Sequence, residues 1–344
     1  MTEKQYGGST GREMTKAVAN VKKPSLNDAN KADKSDKKFG VGISNASESK
    51  LSQNEQKIIQ AGKIASDTKK YARSIAKKGM LLFELAEKIE AKIIELGGNP
   101  AFPVNLSIND VAAHYTPSHD DKSVAEGLIK IDLGVSLDGW LADTAFSLDL
   151  ENNEENKRLI LSAESALKNA SRIMKKGITN SEIGREIEDS INSGEISPII
   201  NLSGHGMKRH ELHSGITIPN INNHQEIPIE KGLYAIEPFT TNGSGKVYDG
   251  RPSGIFELIS EKNVRSPVAR EVLELIIKEY QTLPFCSRWL HKKMGTKALL
   301  GLKQLEDNGN LHQFSMLVES SHGKVAQAEN TFLITERETI VTTE

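Results

Sequence analysis

The chain has 344 residues and a formal net charge of -2 at neutral pH, a size that can bury one large core or two modest ones. The near-zero charge argues against a protein that binds nucleic acid over its whole surface, because such binding needs a clustered basic footprint. A single cysteine excludes an intrachain disulfide, and the sequence holds neither the roughly 20 consecutive apolar residues of a membrane span nor an apolar signal-peptide core at its start, so we expect a cytoplasmic protein without a membrane contact.

Residues 1–52 are dominated by Lys, Asn, Asp, Ser and Gly, and their few apolar residues follow no period. Such a composition buries too little apolar surface to offset the entropy of ordering, which predicts a disordered N-terminal tail. The basic run 31–38 is compatible with contact to ribosomal RNA, but we favour a tail that is simply solvated.

Two helices are predicted next. Apolar residues recur at helical spacing through residues 54–77, and Gly79 ends this stretch. A second amphipathic helix carries Leu82, Leu85, Ile89 and Ile93 on one face before a pair of glycines at 97–98 stops it. These apolar faces indicate packing against a core rather than binding.

The chain also resembles itself, which indicates architecture before any motif does. Residues 72–79 align with 170–177, the next helical turns match in the same order, and 126–132 echo 231–237. The last pair places Asp132 and Glu237 at equivalent positions. Each half is predicted to run helix, helix, strands, so we expect an α+β fold with pseudo-two-fold symmetry and a cleft between the halves.

The repeat is interrupted by residues 267–322. Helical patterns cover 269–280 and 296–308, and short apolar segments follow near 314–318. Helices followed by a hairpin resemble a winged-helix module, so we predict a winged-helix-like subdomain inserted in the main domain. Because a fold does not imply a function, we assign it to a cleft wall or to the surface, with no specific nucleic acid bound.

Carboxylates in apolar strands are the first chemical signal. Apolar alternation around Asp132 predicts a strand, the Asp138-Gly139 pair predicts a hairpin turn, and Asp143 would lie on the returning strand. Two carboxylates across a hairpin repel each other, and a divalent cation between them removes the repulsion. The alternative, that both are solvated on an exposed face, is about equally well supported by this segment.

Three further residues strengthen the metal interpretation. Glu237 ends the apolar strand 233–236, and Glu329 lies inside the apolar run 325–334, both costly positions for an unpaired charge. A buried salt bridge is the alternative for Glu329. His205 lies between two glycines, where backbone can approach a ligand closely, although an isolated histidine there is more often structural. Four carboxylates and an imidazole suit two divalent ions that activate water for hydrolysis.

Several motifs resemble one family closely. They are 101–107 (AFPVNLS), 112–117 (AAHYTP), 130–134 (KIDLG), 142–146 (ADTAF), Gly204-His205, 212–215 (LHSG), 235–239 (AIEPF) and 326–329 (AQAE). In order, and over roughly residues 54–335, they are similar to type 2 methionine aminopeptidases, especially archaeal ones. Asn330 and Ser136 depart from that pattern, since both stand where histidine is common.

The resemblance implies a "pita-bread" metallopeptidase fold with the catalytic domain at 53–266 and 323–344. It also implies two divalent ions per chain, Co, Mn, Fe or Zn. Asp132 would chelate one ion, Asp143 and Glu329 would bridge both, and His205 and Glu237 would complete the second site. Glu237 would also be the general base. His114 would lie near the scissile amide nitrogen, His213 would polarise the scissile carbonyl, and Phe102 would line the methionine pocket.

The activity so implied is removal of the initiator methionine from nascent proteins that have a small second residue, by a monomeric enzyme. One alternative is an Xaa-Pro aminopeptidase or prolidase of the same fold, although these usually carry a folded N-terminal domain. Another is a non-catalytic binding relative that acts at the ribosome or in histone association. Such relatives lose metal ligands, whereas all five are present here. The tail and the inserted module also allow a binding role beside catalysis, with the tail as a contact to the ribosome.

Overall fold

The computed structural model describes residues 51–191 and 194–344, which belong to one compact unit. Residues 1–50 of the predicted tail lie outside the described residues, whereas Ser52, at its end, caps the first helix. Among the described helices, none combines the length and the apolar character that a membrane crossing requires.

The described residues form seven helices. In chain order these are α1 (Gln53–Ile75), α2 (Leu82–Glu95), α3 (Glu154–Ile173), α4 (Asn180–Ile191), α5 (Pro267–Glu279), α6 (Ser287–Met294) and α7 (Lys297–Asp307). The first helix begins with a capping box, in which the Ser52 side chain accepts from the backbone N–H of Glu55 and the Glu55 carboxylate accepts from the backbone N–H of Ser52. It ends two residues before its predicted end because Ala76 is extended.

The strands are mostly short. They are β1 (Asn99–Pro100), β2 (Asn105–Ile108), β3 (Val111–Ala113), β4 (Leu128–Leu137), β5 (Trp140–Asp149), β6 (Ser197–Pro198), β7 (Ser203–Met207), β8 (Thr217–Pro219), β9 (Gly232–Ile236), β10 (Phe239–Thr241), β11 (Val247–Leu258), β12 (Phe285–Cys286), β13 (Leu311–Glu319), β14 (Val325–Gln327), β15 (Asn330–Ile334) and β16 (Thr339–Val341).

The two predicted halves are visible in the packing. In the first half, α1 packs on β4 and β5, and β4 pairs with β1, β2 and β5. In the second half, α3 packs on β10 and β14, α4 packs on β8, and β9 lies at the centre of a sheet ordered β16-β15-β9-β7-β8. Each half therefore covers one face of its strands with a helix pair, which confirms the predicted α+β fold.

The hairpin predicted at Asp138-Gly139 is confirmed. β4 and β5 pair over ten positions, and the two turn residues have φ of 51° and 82°. Both angles are positive, as the tight turns that match the twist of paired strands require, and glycine adopts such a conformation without strain.

The apolar run 325–334 forms two strands in different sheets. β14 pairs with β10, whereas β15 pairs with β9, and the chain changes sheets at Ala328 and Glu329. Their partner strands are interrupted at the same height in the fold, since β9 ends directly before Glu237 and β10 begins after it. This corner could not be predicted from the apolar pattern, since the residues on both sides of it are buried.

The segment 267–322 differs from the predicted winged helix in its strands. Its helices α5 to α7 share an apolar cluster that includes Ala269, Val272 and Leu302. No hairpin forms within the segment, all of which the structure describes: β13 pairs with β11 and β3, and β12 pairs with β11, all antiparallel. The partner of an apolar strand is set by long-range packing, which local sequence does not reveal. The domain limits 53–266, 267–322 and 323–344 stay predictions.

Candidate metal centre

Asp132 and Asp143 lie on the central hairpin of the first half. Asp132 on β4 is opposite Ala145, and Asp143 on β5 is opposite Gly134, so the two are diagonal neighbours rather than a directly facing pair. Because side chains alternate along a strand, a two-residue offset leaves both carboxylates on the same face of the hairpin. Both side chains line one cavity.

Glu237 and Glu329 lie where their strands change sheets. Asn330, directly after Glu329, is paired with Ile236, directly before Glu237. The backbone N–H of Glu329 donates to the carbonyl of Ala145 at 3.0 Å, which ties this corner to β5. The corner therefore brings two carboxylates from the second half to the face of the hairpin that carries the two aspartates.

His205 comes from β7, where it is paired with Ala235 of β9. Its Nε2 lies 3.7 Å from Oδ2 of Asp143 and 3.8 Å from Oε1 of Glu237. The glycine before it serves strand packing, because a Cβ on Gly204 would lie 2.3 Å from the Ala235 carbonyl oxygen. The sequence interpretation attributed this glycine to a close approach to a ligand, whereas the approach is to the neighbouring strand.

The structure thus brings all five predicted metal ligands to one cavity. Potential ligand atoms of Asp143, His205 and Glu329 all lie within 4.8 Å of one another, and these three side chains are buried. Asp132 and Glu237 line the same cavity. The role of each residue, whether chelating or bridging, stays a prediction.

Burial and mutual repulsion dominate the electrostatics of this cluster. Burial raises the pKa of Asp132 to about 7. For Glu237, Asp143 and Glu329, burial and the neighbouring carboxylates raise the pKa well above its usual value. Burial lowers the pKa of His205 to about 3, so its imidazole is neutral at physiological pH and free to act as a ligand. Without a bound cation, gathering these groups is costly.

The donor atoms fit a divalent cation. Oδ1 of Asp132 and Oδ1 of Asp143 are buried and have no hydrogen-bond partner among the described residues. Buried carboxylate oxygens that lack donors are costly unless a cation lies against them. Carboxylate oxygens with one imidazole nitrogen are ligands that Mn, Fe, Co and Zn accept. The cluster is therefore a candidate site for a divalent metal ion.

Threonines hold the backbone of two of these ligands. The Thr331 hydroxyl accepts from the backbone N–H of Asp143 and donates to its carbonyl, both at 2.7 Å. The Thr144 hydroxyl donates to the carbonyl of Glu329 at 2.8 Å. Sequence reasoning missed both threonines, although each is adjacent or nearly adjacent to a predicted ligand.

The predicted substrate residues lie around the same cavity. His114, His213 and Phe102 all line it. The ring of His213 packs edge-on against that of His205, with centroids 4.4 Å apart. Burial and the nearby His213 lower the pKa of His114 to about 4, and its Nδ1 lies 3.2 Å from the carbonyl of Ser315. Since that contact requires a proton on Nδ1 of the neutral ring, Nε2 is the acceptor.

The apolar wall contains residues that sequence reasoning did not assign. Phe102 packs tightly on β4, because a Cβ on Gly134 would lie 2.3 Å from its ring. Ile255 of β11, Pro284 and Phe314 of β13 line the cavity as well. The last two come from segment 267–322, which therefore forms part of the cleft wall. The apolar stretch near 314–318 indicated that this segment contributes buried residues. The register in which β13 pairs, which brings Phe314 to the cavity, could not be predicted from the sequence.

Comparison with known proteins identifies a matching family and several similar proteins. The model of metallopeptidase family M24 matches residues 56–336. A methionine aminopeptidase from Pyrococcus abyssi is 45% identical over 293 residues, which are 84% of this chain and 99% of that protein. Among solved structures, a thermophilic Arx1 has a TM-score of 0.73 at 16% identity, covering 83% of this chain and 89% of its own. A methionine aminopeptidase from Thermotoga maritima has a TM-score of 0.62 at 20% identity, covering 86% and 98%.

Proposed function

The chain belongs to metallopeptidase family M24, and on that premise we propose that it is a methionyl aminopeptidase that removes the initiator methionine from nascent proteins with a small second residue. The observation that carries the proposal is the placement of all five metal-ligand candidates in one cavity beside an apolar wall. The 45% identity to an archaeal methionine aminopeptidase over nearly its whole length supports the substrate assignment.

The five ligand candidates would hold two divalent ions drawn from Co, Mn, Fe and Zn. Such ions supply Lewis acidity toward the scissile carbonyl and lower the pKa of water to near neutrality. Asp132 would chelate one ion, Asp143 and Glu329 would bridge the two, and His205 and Glu237 would complete the second site.

Glu237 would act as the general base. Its carboxylate lies at the corner of two sheets and lines the cavity, and Oε2 accepts from Nε2 of Gln327 at 3.3 Å. A carboxylate placed beside the ions can take a proton from water and pass it to the leaving amine. The cost of keeping this carboxylate ionised falls when a cation lies against it.

The two histidines would act on the substrate rather than on the ions. His213, which packs against the metal-ligand candidate His205, would donate to the oxygen of the scissile carbonyl, where negative charge develops. Nε2 of neutral His114 would accept a hydrogen bond from the scissile amide N–H and so orient the bond for attack. Phe102 would pack against the methionine side chain.

The test is hydrolysis of a Met-Ala-Ser peptide and of an Xaa-Pro peptide by metal-free protein reconstituted separately with Mn, Co, Fe and Zn. We expect cleavage of Met-Ala-Ser after reconstitution and none in the metal-free protein. Cleavage of the Xaa-Pro peptide alone would favour a proline-specific aminopeptidase of the same fold. Neither metal binding nor cleavage would favour a non-catalytic relative.

The role of Glu237 has its own test. We expect Glu237→Gln to lower kcat by at least about 100-fold, because a general base contributes roughly that much or more. Glu338→Gln, a change of the same kind at an exposed position, is the matched control and should leave kcat unchanged. Metal content is measured for both variants, and wild-type turnover by Glu237→Gln would refute the assignment.

A further inference from the structure

Lys69 on α1 lies directly behind the metal centre. Its Nζ donates to the Thr144 hydroxyl at 3.0 Å, to Oδ1 of Asn330 at 3.1 Å and to the carbonyl of Thr343 at 2.8 Å. These three acceptors satisfy all three protons of the ammonium group. Lys69 thus connects α1, β5, the start of β15 and the chain after β16 at a single point.

Each of these acceptors leads to a metal-ligand candidate. The Thr144 hydroxyl passes the chain of hydrogen bonds on to the carbonyl of Glu329 at 2.8 Å, and Thr144 follows Asp143 in the sequence. Asn330 follows Glu329 directly, and its Oδ1 also accepts from the Thr343 hydroxyl at 3.0 Å. One ammonium group therefore binds Thr144, which follows Asp143, and Asn330, which follows Glu329, so its partners are the direct neighbours of both residues predicted to bridge the ions.

Lys69 is half-buried, so its ammonium group is partly desolvated. Burial lowers the pKa of Lys69 to about 8, so the side chain stays mostly protonated at neutral pH. The three acceptors of its hydrogen bonds are all uncharged, and the nearby charges of Glu329 and Glu344 oppose part of this lowering of the pKa. A partly desolvated cation needs well-placed hydrogen-bond acceptors, which these three groups supply.

We propose that Lys69 is a positioning residue of the metal centre, which fixes the backbone at Asp143 and Glu329 so that both carboxylates are aimed at the ions. The proposal rests on the metal centre proposed above. Residues that orient metal ligands without touching the ion commonly contribute about 10-fold to 100-fold in metal affinity.

A positive charge near a cation would by itself weaken metal binding. The direction in which metal affinity changes when Lys69 is replaced therefore distinguishes three explanations of its role. If Lys69 acts only through its charge, its removal strengthens metal binding, because a repulsion is lost. If Lys69 only stabilises the fold, its removal lowers the unfolding temperature and leaves the affinity of the folded protein unchanged. If Lys69 positions the ligands, its removal weakens metal binding.

The experiment is calorimetric titration of chelator-treated protein with Mn²⁺, for the wild type and for Lys69→Met, Thr144→Val and the double variant. We expect each single variant to bind Mn²⁺ about 10-fold to 100-fold more weakly than the wild type. The double variant should bind Mn²⁺ about as tightly as the weaker-binding single variant, since both substitutions remove the same connection. Lys70→Met, at the exposed neighbouring position on α1, is the matched control and should bind Mn²⁺ like the wild type.

Unchanged or tighter Mn²⁺ binding by Lys69→Met would overturn the proposal. If that variant does not fold, Thr144→Val decides alone: it keeps the ammonium group and removes its connection to Glu329, so wild-type affinity would overturn the proposal equally. Failure of the wild type to bind Mn²⁺ would instead refute the metal centre itself, which keeps the two failures distinct.

Discussion

Replacing Arg288 by methionine should destabilise the protein strongly and also slow catalysis. Arg288 of α6 is 1% exposed. Its two terminal nitrogens each donate to one oxygen of Glu90 on α2 at 2.7 Å, and Nη1 also reaches Glu87. Nε donates to the carbonyl of Pro117, three residues after His114, at 3.1 Å. One guanidinium group thus joins segment 267–322 to the first half and to the loop behind a predicted substrate residue.

The expected loss in the free energy of unfolding comes from the Glu90 carboxylate, which Arg288→Met leaves buried without its cationic partner. Glu90 is 5% exposed and would keep only the donors from Val104 and Trp289. Removing one partner of a buried ion pair typically costs about 3–5 kcal/mol. The double variant Glu90→Met/Arg288→Met removes both charges, so its cost should fall short of the sum of the single costs by about 2–3 kcal/mol.

Urea unfolding followed by far-UV circular dichroism measures these costs. Dichroism is preferable to fluorescence because Trp289 donates to Glu90 and would report the local change. Lys292→Met is the control: Lys292 also pairs with Glu87, but its side chain is 70% exposed, so we expect a loss below about 1 kcal/mol. If the double variant loses as much stability as the two single variants together, the energetic coupling of Glu90 and Arg288 is refuted. A wild-type kcat in Arg288→Met would refute the link from Arg288 to His114.

Three further predictions concern separate parts of the molecule. Burial alone would raise the pKa of Glu319, but donors from Ser244, Ser321 and Gly323 bring it down to about 2. Because the pKa of Glu319 in the folded state lies below the unfolded value of 4.5, Glu319→Gln should lower the free energy of unfolding by about 2 kcal/mol above pH 4.5. Urea unfolding at a series of pH values should show this difference between the variant and the wild type shrinking toward pH 2. His213→Asn should lower kcat for Met-Ala-Ser by about 100-fold or more with little change in KM, and an effect confined to KM would contradict its role at the carbonyl. Gly62→Ala should cost about 1–3 kcal/mol in thermal unfolding, because its Cβ would lie 2.3 Å from the Thr342 carbonyl oxygen; unchanged stability would mean that the chain after β16 gives way.

Local periodicity and internal similarity were sufficient for much of the fold. The helices α1 and α2 carry regular apolar faces, and the Asp138-Gly139 turn has a distinctive local chemistry, so both could be predicted. The equivalence of Asp132 and Glu237 followed from comparing the two halves. These features depend on residues close in sequence, or on one half repeating the other.

The remaining features depend on contacts that local sequence does not encode. The corner at Glu329 is invisible in an apolar run, because both flanking strands are buried. A lysine within a helix usually faces solvent, so nothing near Lys69 indicated a place behind the metal centre. Phe314 reaches the cavity because β13 pairs with β11, although helices α5 to α7 separate the two strands in the sequence.

The two halves meet at the metal centre, which has a consequence for folding kinetics. Asp132 and Glu329 are brought together only after the hairpin of the first half, the corner of the second half and the strand after α7 have assembled, and contacts of such long sequence separation form slowly. Ions should then bind after the rate-limiting step of folding. Metal should therefore leave the folding rate nearly unchanged and slow unfolding instead, so that the bound ions lengthen the lifetime of the native state.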